Sequence, residues 1–370
     1  MTKTPLGQVV IRGFTSIREL TLDLPTDVTV LIGANGAGKS NIVQALELLG
    51  RIVDRQLQTH LLKAGGFHQL LHRAEPTTQA IQIEAWDAIE PLGHGYRAEL
   101  TAAAGDRALL VETGLSADRR LRAAPRKTFE HQGSESQLDT LAKVPGGGAS
   151  RVTGLLHGCR VYHFHDTSSD APMKRRADVA DNLTLTRDGA NVASVLLRLR
   201  VEDPTAYQRI RRSVQVVAPF FDDFSLEPLH DSVLLAWSQK GVDGTFSADR
   251  LSDGTLRFLC LAVALLHPRR PVTVVFDEPE LGLHPFAIHQ LASLLRAGAG
   301  HGRRVILATQ SVPLLSAFTP EEIQVVERHG GATTVQRLDL ESLDQWLTSY
   351  SLGELWEKNL LGGRPTAEAR

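Results

Sequence analysis

A glycine-rich stretch near the N-terminus constrains the fold of this chain more than any other feature. Residues 28–50 read VTVLIGANGAGKSNIVQALELLG, which is a five-residue apolar run, a glycine-rich loop and a helical pattern. The loop matches GxxxxGK[ST] in the required strand–loop–helix context. Glycines let such a loop fold back with its N–H groups pointing inward at phosphate oxygens, and the helix N-terminus adds a partial positive charge. The stretch predicts a nucleoside-triphosphate site, because a chance glycine-rich turn does not explain the Lys-Ser pair and both flanking elements.

The residues of this loop have expected roles. Lys39 is expected to hold the β- and γ-phosphates as a candidate catalytic residue, and the Ser40 hydroxyl is expected to ligate Mg²⁺. ATP and Mg²⁺ are therefore the predicted cofactors. The predicted nucleotide-binding residues of the loop are Gly33, Ala34, Asn35, Gly36, Ala37, Gly38, Lys39, Ser40 and Asn41.

A second motif supplies acidic residues. Residues 271–285 read PVTVVFDEPELGLHP, in which the run Val272–Phe276 is typical of a buried parallel strand and ends in Asp277 and Glu278. Acidic residues at the C-terminal end of a strand lie where open α/β sheets bind ligands. Asp277 is expected to hold Mg²⁺ through water, and Glu278 to polarise the attacking water. Two solvated carboxylates are the alternative, which the upstream loop disfavours.

A third motif stands before this strand. Residues 251–257 read LSDGTLR, and an apolar helical pattern follows. A Ser-x-Gly turn at a helix N-terminus is a second potential phosphate cradle. Because one loop already serves this chain's nucleotide, Ser252 and Gly254 are expected to serve the nucleotide of a neighbouring subunit. A plain helix N-cap is the alternative interpretation.

Composition limits the partners of the chain. Its 370 residues are 42% hydrophobic and carry a net charge of −2, so the chain as a whole is no electrostatic match for nucleic acid. Cys159 and Cys260 lie far apart without a CxxC pattern, and no histidine spacing fits a metal site. With no signal-peptide pattern and no apolar run long enough to span a bilayer, we expect a soluble, cytoplasmic protein without a membrane partner.

Three basic groups are candidates for a local DNA-facing patch: Arg119–Lys127, Lys174–Arg176, and the arginines at positions 209, 211 and 212. Solvated loop and helix faces are the commoner cause of such groups. The aromatic content is only 5% and does not interleave with them, which disfavours base stacking.

Alternating apolar residues predict an antiparallel meander of three strands over residues 79–113, with turns at Gly93/Gly95 and at Gly105-Asp106. The run 145–148 is expected to be a flexible joint, and a strand is expected at Arg160–His165. Two helices are predicted on either side of Pro204.

Together these residues resemble the ABC-type AAA family ATPases, in the branch that contains SMC, RecF, RecN and the overcoming-lysogenization-defect (OLD) ATPases. GANGAGKSN, LSDGTLRFL and DEPELGLHP carry the resemblance, and IRGFTSIREL is similar to the opening strands of these heads. VYHFHDTS and the segment Ser351–Asn359 look like those of stand-alone bacterial predicted ATPases in this branch, which lack a coiled coil and a Toprim nuclease domain. The resemblance covers nearly the whole chain.

The resemblance implies an α/β P-loop NTPase fold, an ABC-type ATPase head with two lobes. One lobe is an antiparallel β meander, and the other is a mixed or parallel sheet flanked by helices. We expect the first lobe over residues 1–116, an inserted loop and helical region over 117–220, and the second lobe over 221–370. The family also implies a head-to-tail homodimer that traps two ATP molecules, with Ser252 and Gly254 contacting the γ-phosphate held by the partner's loop.

Several positions depart from the family pattern. Asp253 stands where adjacent glycines are usual, and Leu283-His284-Pro285 stands in place of the D-loop aspartate. Gln310 occupies the H-loop position and is a candidate catalytic residue, since an amide can hydrogen-bond a γ-phosphate but cannot titrate near neutral pH. These departures agree with slow hydrolysis and a switch-like role.

The Q-loop is a further departure, because no residue fills it by motif alone. By position after the predicted strand it falls at His165 or Asp166, with Gln69 as another candidate. Of these, His165 is taken as the nucleotide-binding candidate.

Spacing distinguishes the chain from its relatives in this branch. Ser40 and Ser252 lie 212 positions apart (252 − 40), where transporter ATPases use far fewer residues and SMC-like proteins insert a long coiled coil. The strands, helices and glycines of this insert predict a compact lobe. Only 59 residues (370 − 311) follow Ser311, too few for the nuclease domain of OLD proteins.

We therefore expect Mg²⁺-dependent ATP binding and hydrolysis in an ATP-sandwiched homodimer. Its predicted use is as a clamp or switch in DNA-associated processes, namely repair, chromosome maintenance or anti-phage defence. The alternative is an ATP-dependent scaffold or sensor that holds an effector protein encoded nearby. A transporter ATPase subunit is disfavoured by the signature and the spacing.

Overall fold

A computed structural model describes residues 3–73, 78–89, 92–118, 124–144 and 148–362. Runs of strands and runs of helices follow one another along the chain. The strands are β1 (Leu6–Phe14), β2 (Ile17–Asp23), β3 (Val28–Ile32), β4 (Ala80–Asp87), β5 (Leu92–Ala103), β6 (Arg107–Asp118), β7 (Arg126–Gly133), β8 (Cys159–Tyr162), β9 (Ala177–Asp178), β10 (Phe221–Ser225), β11 (Pro228–Leu229), β12 (Ser232–Val233), β13 (Ala236–Gln239), β14 (Thr245–Ser247), β15 (Thr273–Asp277), β16 (Arg304–Thr309), β17 (Ile323–His329) and β18 (Ala332–Arg337). The helices are α1 (Lys39–Val53), α2 (Leu57–Lys63), α3 (Phe67–Leu70), α4 (Leu138–Leu141), α5 (Ala149–His157), α6 (Val192–Glu202), α7 (Pro204–Val217), α8 (Asp253–Leu266), α9 (Pro285–Gly298), α10 (Val312–Leu315), α11 (Leu340–Leu347) and α12 (Leu352–Glu357).

A six-stranded, mostly parallel sheet holds the predicted motifs. Its strand order is β18-β17-β3-β16-β15-β8, and only β18 runs antiparallel to its neighbour. Every residue of β3 is buried, which explains its unbroken apolar run. Because the carboxyl ends of parallel strands meet at one edge, the loop after β3 and the residues that follow β15 and β16 share that edge.

Side chains of this sheet alternate between two hydrophobic cores, one on each face. Val30 points into a core built with α6, α7, α8 and α9, whereas Leu31 points into a core built with α1 and a second sheet. Strand β16 alternates in the same way at Leu307 and Ala308. The parallel sheet is therefore covered on both faces.

The second sheet is antiparallel, with the order β2-β1-β4-β5-β6-β7. It confirms the predicted meander, but the predicted turn at Gly93/Gly95 is wrong because both glycines lie inside β5. A Cβ atom on Gly95 would lie 2.6 Å from the Trp86 ring, so this glycine admits a neighbouring ring rather than a turn. The two sheets together confirm the predicted α/β fold with an antiparallel and a mixed sheet.

The insert between the first and third motifs contains more structure than the sequence predicted. Strand β7 pairs with β6, and α4 and α5 precede β8; none of these three elements was predicted. The helices on either side of Pro204 are confirmed as α6 and α7, and Pro204 is the first residue of α7. The predicted joint at 145–148 lies outside the described residues except for Gly148. Likewise, residues 119–123 of the first basic group lie outside them.

In the described ranges the longest helix is α1, with 15 residues, so those ranges contain no coiled-coil rod. No helix in this part of the chain is long and apolar enough to cross a membrane. The division at residues 116 and 220 stays a prediction; the first boundary falls inside β6.

Candidate nucleotide-binding site

The loop after β3 winds around the ammonium group of Lys39. Lys39 Nζ donates to the carbonyl oxygens of Gly33 at 2.7 Å and of Ala34 at 3.1 Å. Gly36 and Gly38 have φ angles of +80° and +109°, which side chains rarely adopt. The glycines are thus needed for a loop that encloses the lysine head group.

Three polar side chains support the loop from behind. The Thr333 hydroxyl on β18 donates to the Ala37 carbonyl at 2.9 Å, and it lies 2.6 Å from the Ser16 hydroxyl. Asn41 Nδ2 donates to the same Ser16 oxygen at 2.5 Å. A Cβ atom on Gly38 would come 2.0 Å from Thr333 Oγ1, so the loop is packed tightly against β18. No sequence pattern indicates Thr333, which lies 296 residues from Ala37.

The other side of the loop faces outward. Asn35, Gly36 and Ser40 are exposed. A separate cavity of about 340 Å³ is lined by residues outside the loop, namely Thr15, Ser16, Gln69, Leu71, His72, Arg73, Arg328 and Gly331. In the described structure, the buried Thr15 hydroxyl and His72 Nε2 have no hydrogen-bond partner. The cavity therefore contains both arginine side chains and unsatisfied polar atoms.

The predicted metal-binding residues lie next to each other. Asp277 is the last residue of β15, and a hydrogen bond with Ser40 links it to the loop. Burial raises the pKa of Asp277, while this hydrogen bond opposes the shift. Its Oδ1 atom is buried without a hydrogen-bond partner among the described residues. Hydroxyl and carboxylate oxygens are donors that Mg²⁺ prefers, so this pair fits the ion.

Lys39 also lies within the field of three carboxylates. Burial lowers the pKa of Lys39, and the charges of Glu278, Asp277 and Glu280 oppose that shift. Lys39 as a whole residue is only 5% exposed, so these interactions act in a poorly solvated setting. The structure thus brings the loop lysine and the acidic end of β15 into one site.

Gln310 and Glu278 form a direct contact. Gln310 Nε2 donates to Glu278 Oε1 at 2.6 Å, across the edge between β15 and β16. Glu278 has a φ of +43°, an uncommon backbone conformation for a residue other than glycine, and its N–H donates to the Ala308 carbonyl at 2.8 Å. The amide predicted at the H-loop position therefore holds the carboxylate predicted to act on water.

The three Q-loop candidates lie in different places. His165 lines a small cavity with Asp277 and Glu278; desolvation lowers the pKa of His165, and the Asp277 charge opposes this. Asp166 is exposed, and its carboxylate accepts hydrogen bonds from Ser168. Gln69 lines the separate cavity that also contains Arg73 and Arg328. Proximity to the carboxylates favours His165, whose role stays a prediction.

The signature turn lies at the start of α8. Ser252 is exposed and caps the helix, accepting from the Thr255 N–H at 3.2 Å. A Cβ atom on Gly254 would lie 2.7 Å from the Gly282 carbonyl, so the turn packs against the segment after β15. Arg257 joins the two, with Nη1 donating to Leu281 O and Nη2 to His165 O, both at 2.7 Å. Capping and contact with a second subunit's nucleotide are compatible roles for Ser252.

Contacts of the buried Glu47 carboxylate anchor α1, and the sequence did not predict them. Glu47 on α1 lies 3.0 Å from His163 Nε2 and accepts from Arg51. Burial alone would raise the pKa of Glu47, but His163 and Arg51 outweigh it and lower the pKa to about 2. This contact ties the helix behind the phosphate loop to the segment that carries His165.

The basic groups are only partly available to a partner. Lys174 donates to the Thr167 carbonyl at 2.7 Å, and Arg211 pairs with Asp222 at 3.1 Å. The side chains that are exposed in the described parts of these groups are Arg126, Lys127, Arg175, Arg176, Arg209 and Arg212.

Fold and site together define a P-loop ATPase of the ABC type with an SMC-like head. The profile of the family described as "AAA domain, putative AbiEii toxin, Type IV TA system" matches residues 28–317, and the chain belongs to this family. Among solved structures, an Smc head bound to the C-winged helix domain of ScpA superposes with a TM-score of 0.61 and 15% identity, covering 92% of this chain and 99% of that chain. An Smc head with an extended coiled coil, bound to the C-terminal domain of ScpA from Pyrococcus furiosus, gives 0.56 and 13%, with 93% and 98% covered. These likenesses show the fold.

Two curated relatives match over short segments. The chromosome partition protein Smc of Methanocaldococcus jannaschii is 39% identical over 56 residues, which are 15% of this chain and 5% of the relative. A putative ABC transporter ATP-binding protein of Streptomyces avermitilis is 40% identical over 93 residues, which are 25% of this chain and 16% of the relative. The matched segments thus span less than a fifth of either relative.

Proposed function

We propose that the chain binds ATP with Mg²⁺ and hydrolyses it in an ATP-sandwiched homodimer. The observation that carries the proposal is the convergence of Lys39, Asp277, Glu278 and Gln310 at one edge of the parallel sheet. A loop lysine, an unsatisfied buried carboxylate oxygen and a carboxylate held by an amide are the parts that phosphoryl transfer to water requires. Membership in an AAA-domain family supports the same activity.

Each residue then has one task in the reaction. Lys39 leaves the carbonyls that it now contacts and holds the β- and γ-phosphates, and Ser40 and Asp277 hold Mg²⁺. The ion neutralises phosphate charge when it is bound. Glu278 accepts a proton from the attacking water, and Gln310 keeps the Glu278 carboxylate in place. His165, which lies near Asp277 and Glu278, is the candidate for the Q-loop contact with the nucleotide.

The second subunit is proposed to contribute the start of α8. Ser252 and Asp253 are exposed there, so the first N–H groups of the helix are open to a phosphate from outside the chain. Ser252 and Gly254 are therefore proposed to contact the nucleotide that the partner subunit holds. ATP binding and dimer formation are then coupled.

Ser252→Arg is expected to abolish ATP-dependent dimerisation while monomers still bind ATP, because the long side chain blocks the phosphate approach to α8. Sedimentation velocity with and without ATP, using variants that also carry Glu278→Gln to prevent turnover, measures the change. Ser293→Arg, on the exposed side of α9, is the matched control and should dimerise normally. ATP-dependent dimers of Ser252→Arg that match the control would remove the turn from the interface.

The biological use that we propose is a clamp or switch in a DNA-associated process. The likeness to Smc heads and the short match to a chromosome partition protein support it, and the family description suggests defence. The exposed arginines at 175, 176, 209 and 212 are the candidate contacts in the described structure.

Binding to duplex DNA is expected only with ATP and is expected to weaken steeply with salt. Each phosphate contacted contributes a slope of about −0.9 in a plot of log affinity against log salt. Fluorescence anisotropy with a labelled duplex measures that slope when the salt concentration is raised from about 50 to about 300 mM. Arg209→Ala/Arg212→Ala should lower it relative to Lys63→Ala, an exposed change at the end of α2. No binding at low salt with ATP would exclude the DNA clamp.

A protein-binding scaffold or sensor is the second candidate. The Smc heads were solved with ScpA domains bound, and the family description reads "AAA domain, putative AbiEii toxin, Type IV TA system". Both descriptions favour a partner protein for a head whose described ranges contain no coiled-coil rod. Capture of an effector by the ATP-bound Glu278→Gln dimer, lost in Lys39→Ala, would support this use over the DNA clamp.

A further inference from the structure

Glu280 is the one carboxylate of the acidic segment that the proposed reaction does not use. It lies two residues beyond Glu278, and both the Thr309 hydroxyl and the Gln310 N–H donate to its Oε1 atom, the latter at 3.4 Å. Its Oε2 atom is buried without a hydrogen-bond partner in the described ranges. A half-buried carboxylate that accepts hydrogen bonds from the end of a neighbouring strand restricts the geometry there.

The contacts form a continuous path to the reacting group. Oε1 of Glu280 fixes residues 309 and 310, and from this fixed backbone the Gln310 side chain reaches Glu278 at 2.6 Å. Thr309 is fully buried, and its hydroxyl also accepts from the Ser311 N–H at 3.0 Å. The turn between β16 and α10 therefore has little freedom as long as Glu280 is in place.

We infer that Glu280 is a positioning residue, which acts through Thr309 and Gln310 to hold the Glu278 carboxylate in its water-directed orientation. The inference rests on the proposed function, because it assigns a task only if Glu278 acts on water. It goes beyond the sequence pattern, in which Glu280 has no expected role.

The role depends on hydrogen-bond acceptance rather than on charge. Burial raises the pKa of Glu280, and the hydrogen bonds from Thr309 and Gln310 oppose that shift. Since Oε1 only accepts, a glutamine side chain can present an oxygen at the same position. An alanine side chain cannot, and it leaves the Thr309 hydroxyl and the Gln310 N–H without their acceptor.

The test compares Glu280→Ala, Glu280→Gln and Gln310→Ala in the full chain. Glu280→Ala is expected to lower kcat about 10- to 100-fold, the loss typical of a displaced reacting group, with the Kd for ATP unchanged within about twofold. Glu280→Gln should recover kcat to within about threefold of the wild type. Because both residues act along one path, Glu280→Ala combined with Gln310→Ala should lower kcat little beyond the larger single effect.

A merely structural role would give another pattern. Glu112→Ala removes a buried carboxylate of the antiparallel sheet, to which Tyr96 and Ser136 donate, and it controls for general loss of stability. The positioning role is excluded if Glu280→Ala retains wild-type kcat or loses no more kcat than Glu112→Ala. It is also excluded if the fold loss of kcat in the double variant equals the product of the losses in Glu280→Ala and Gln310→Ala. Wild-type turnover in Glu278→Gln would instead reject the proposed base, so the two failures are distinguishable.

Discussion

Glu278→Gln is expected to lower ATP turnover at least about 100-fold, because a general base contributes on the order of 10²- to 10⁴-fold and an amide cannot accept the proton. Gln310 can still hydrogen-bond the new side-chain oxygen, so the site should keep its geometry. The variant should therefore bind ATP as tightly as the wild type and accumulate as the ATP-bound dimer.

Single-turnover phosphate release and sedimentation with ATP measure both effects of Glu278→Gln. Glu227→Gln, an exposed carboxylate after β10, is the matched control and should retain wild-type turnover. Turnover of Glu278→Gln equal to that control would mean that another group activates the water.

Lys39→Ala is expected to weaken ATP binding about 10- to 100-fold. A hydrogen bond from a charged donor contributes about 1.5–3 kcal/mol, and each 1.4 kcal/mol or so changes the affinity about tenfold. The loop should survive the change in part, because Thr333 supports it through Ala37. The Gly33 and Ala34 carbonyls, however, lose their common donor. Calorimetric titration with a non-hydrolysable ATP analogue measures the loss of affinity.

Two controls make the Lys39→Ala result specific. Lys63→Ala, exposed at the end of α2, removes a lysine outside the site and should bind the analogue normally. Thermal melting without nucleotide separates loss of the ligand contact from loss of the fold. Wild-type affinity in Lys39→Ala would mean that the loop does not hold the triphosphate.

Patterns within short stretches of the sequence predicted the strands, the loop and the helix that carry the main motifs. The strand before the loop, the loop itself and α1 followed from glycines and apolar spacing within one short stretch, and β15 followed from an apolar run that ends in acids. The meander followed from alternation. For these elements the local pattern is enough to predict the type of secondary structure.

The misses have long-range causes. Glycines in a strand looked like turns because the ring that needs their space, Trp86 over Gly95, belongs to another strand. Strand β7 is mostly exposed and polar, so it lacks the apolar alternation that predicts a strand. It forms because its backbone pairs with the edge of β6. In the site, the contacts of Thr333 with the loop and of Glu280 with Thr309 arise only once distant strands are paired. No sequence spacing encodes such contacts.

The pairing of β3 has a consequence for synthesis of the chain on the ribosome. The strand that carries the loop is flanked by β16 and β17, and its backing hydroxyl comes from β18, all within the last third of the sequence. A nascent chain that has emerged only as far as α9 contains the whole loop motif but neither neighbouring strand. Pairing between strands that are so far apart in the sequence is slow compared with the formation of local elements such as helices. The N-terminal motif thus acquires its neighbouring strands and its supporting hydroxyl only after synthesis has passed β18.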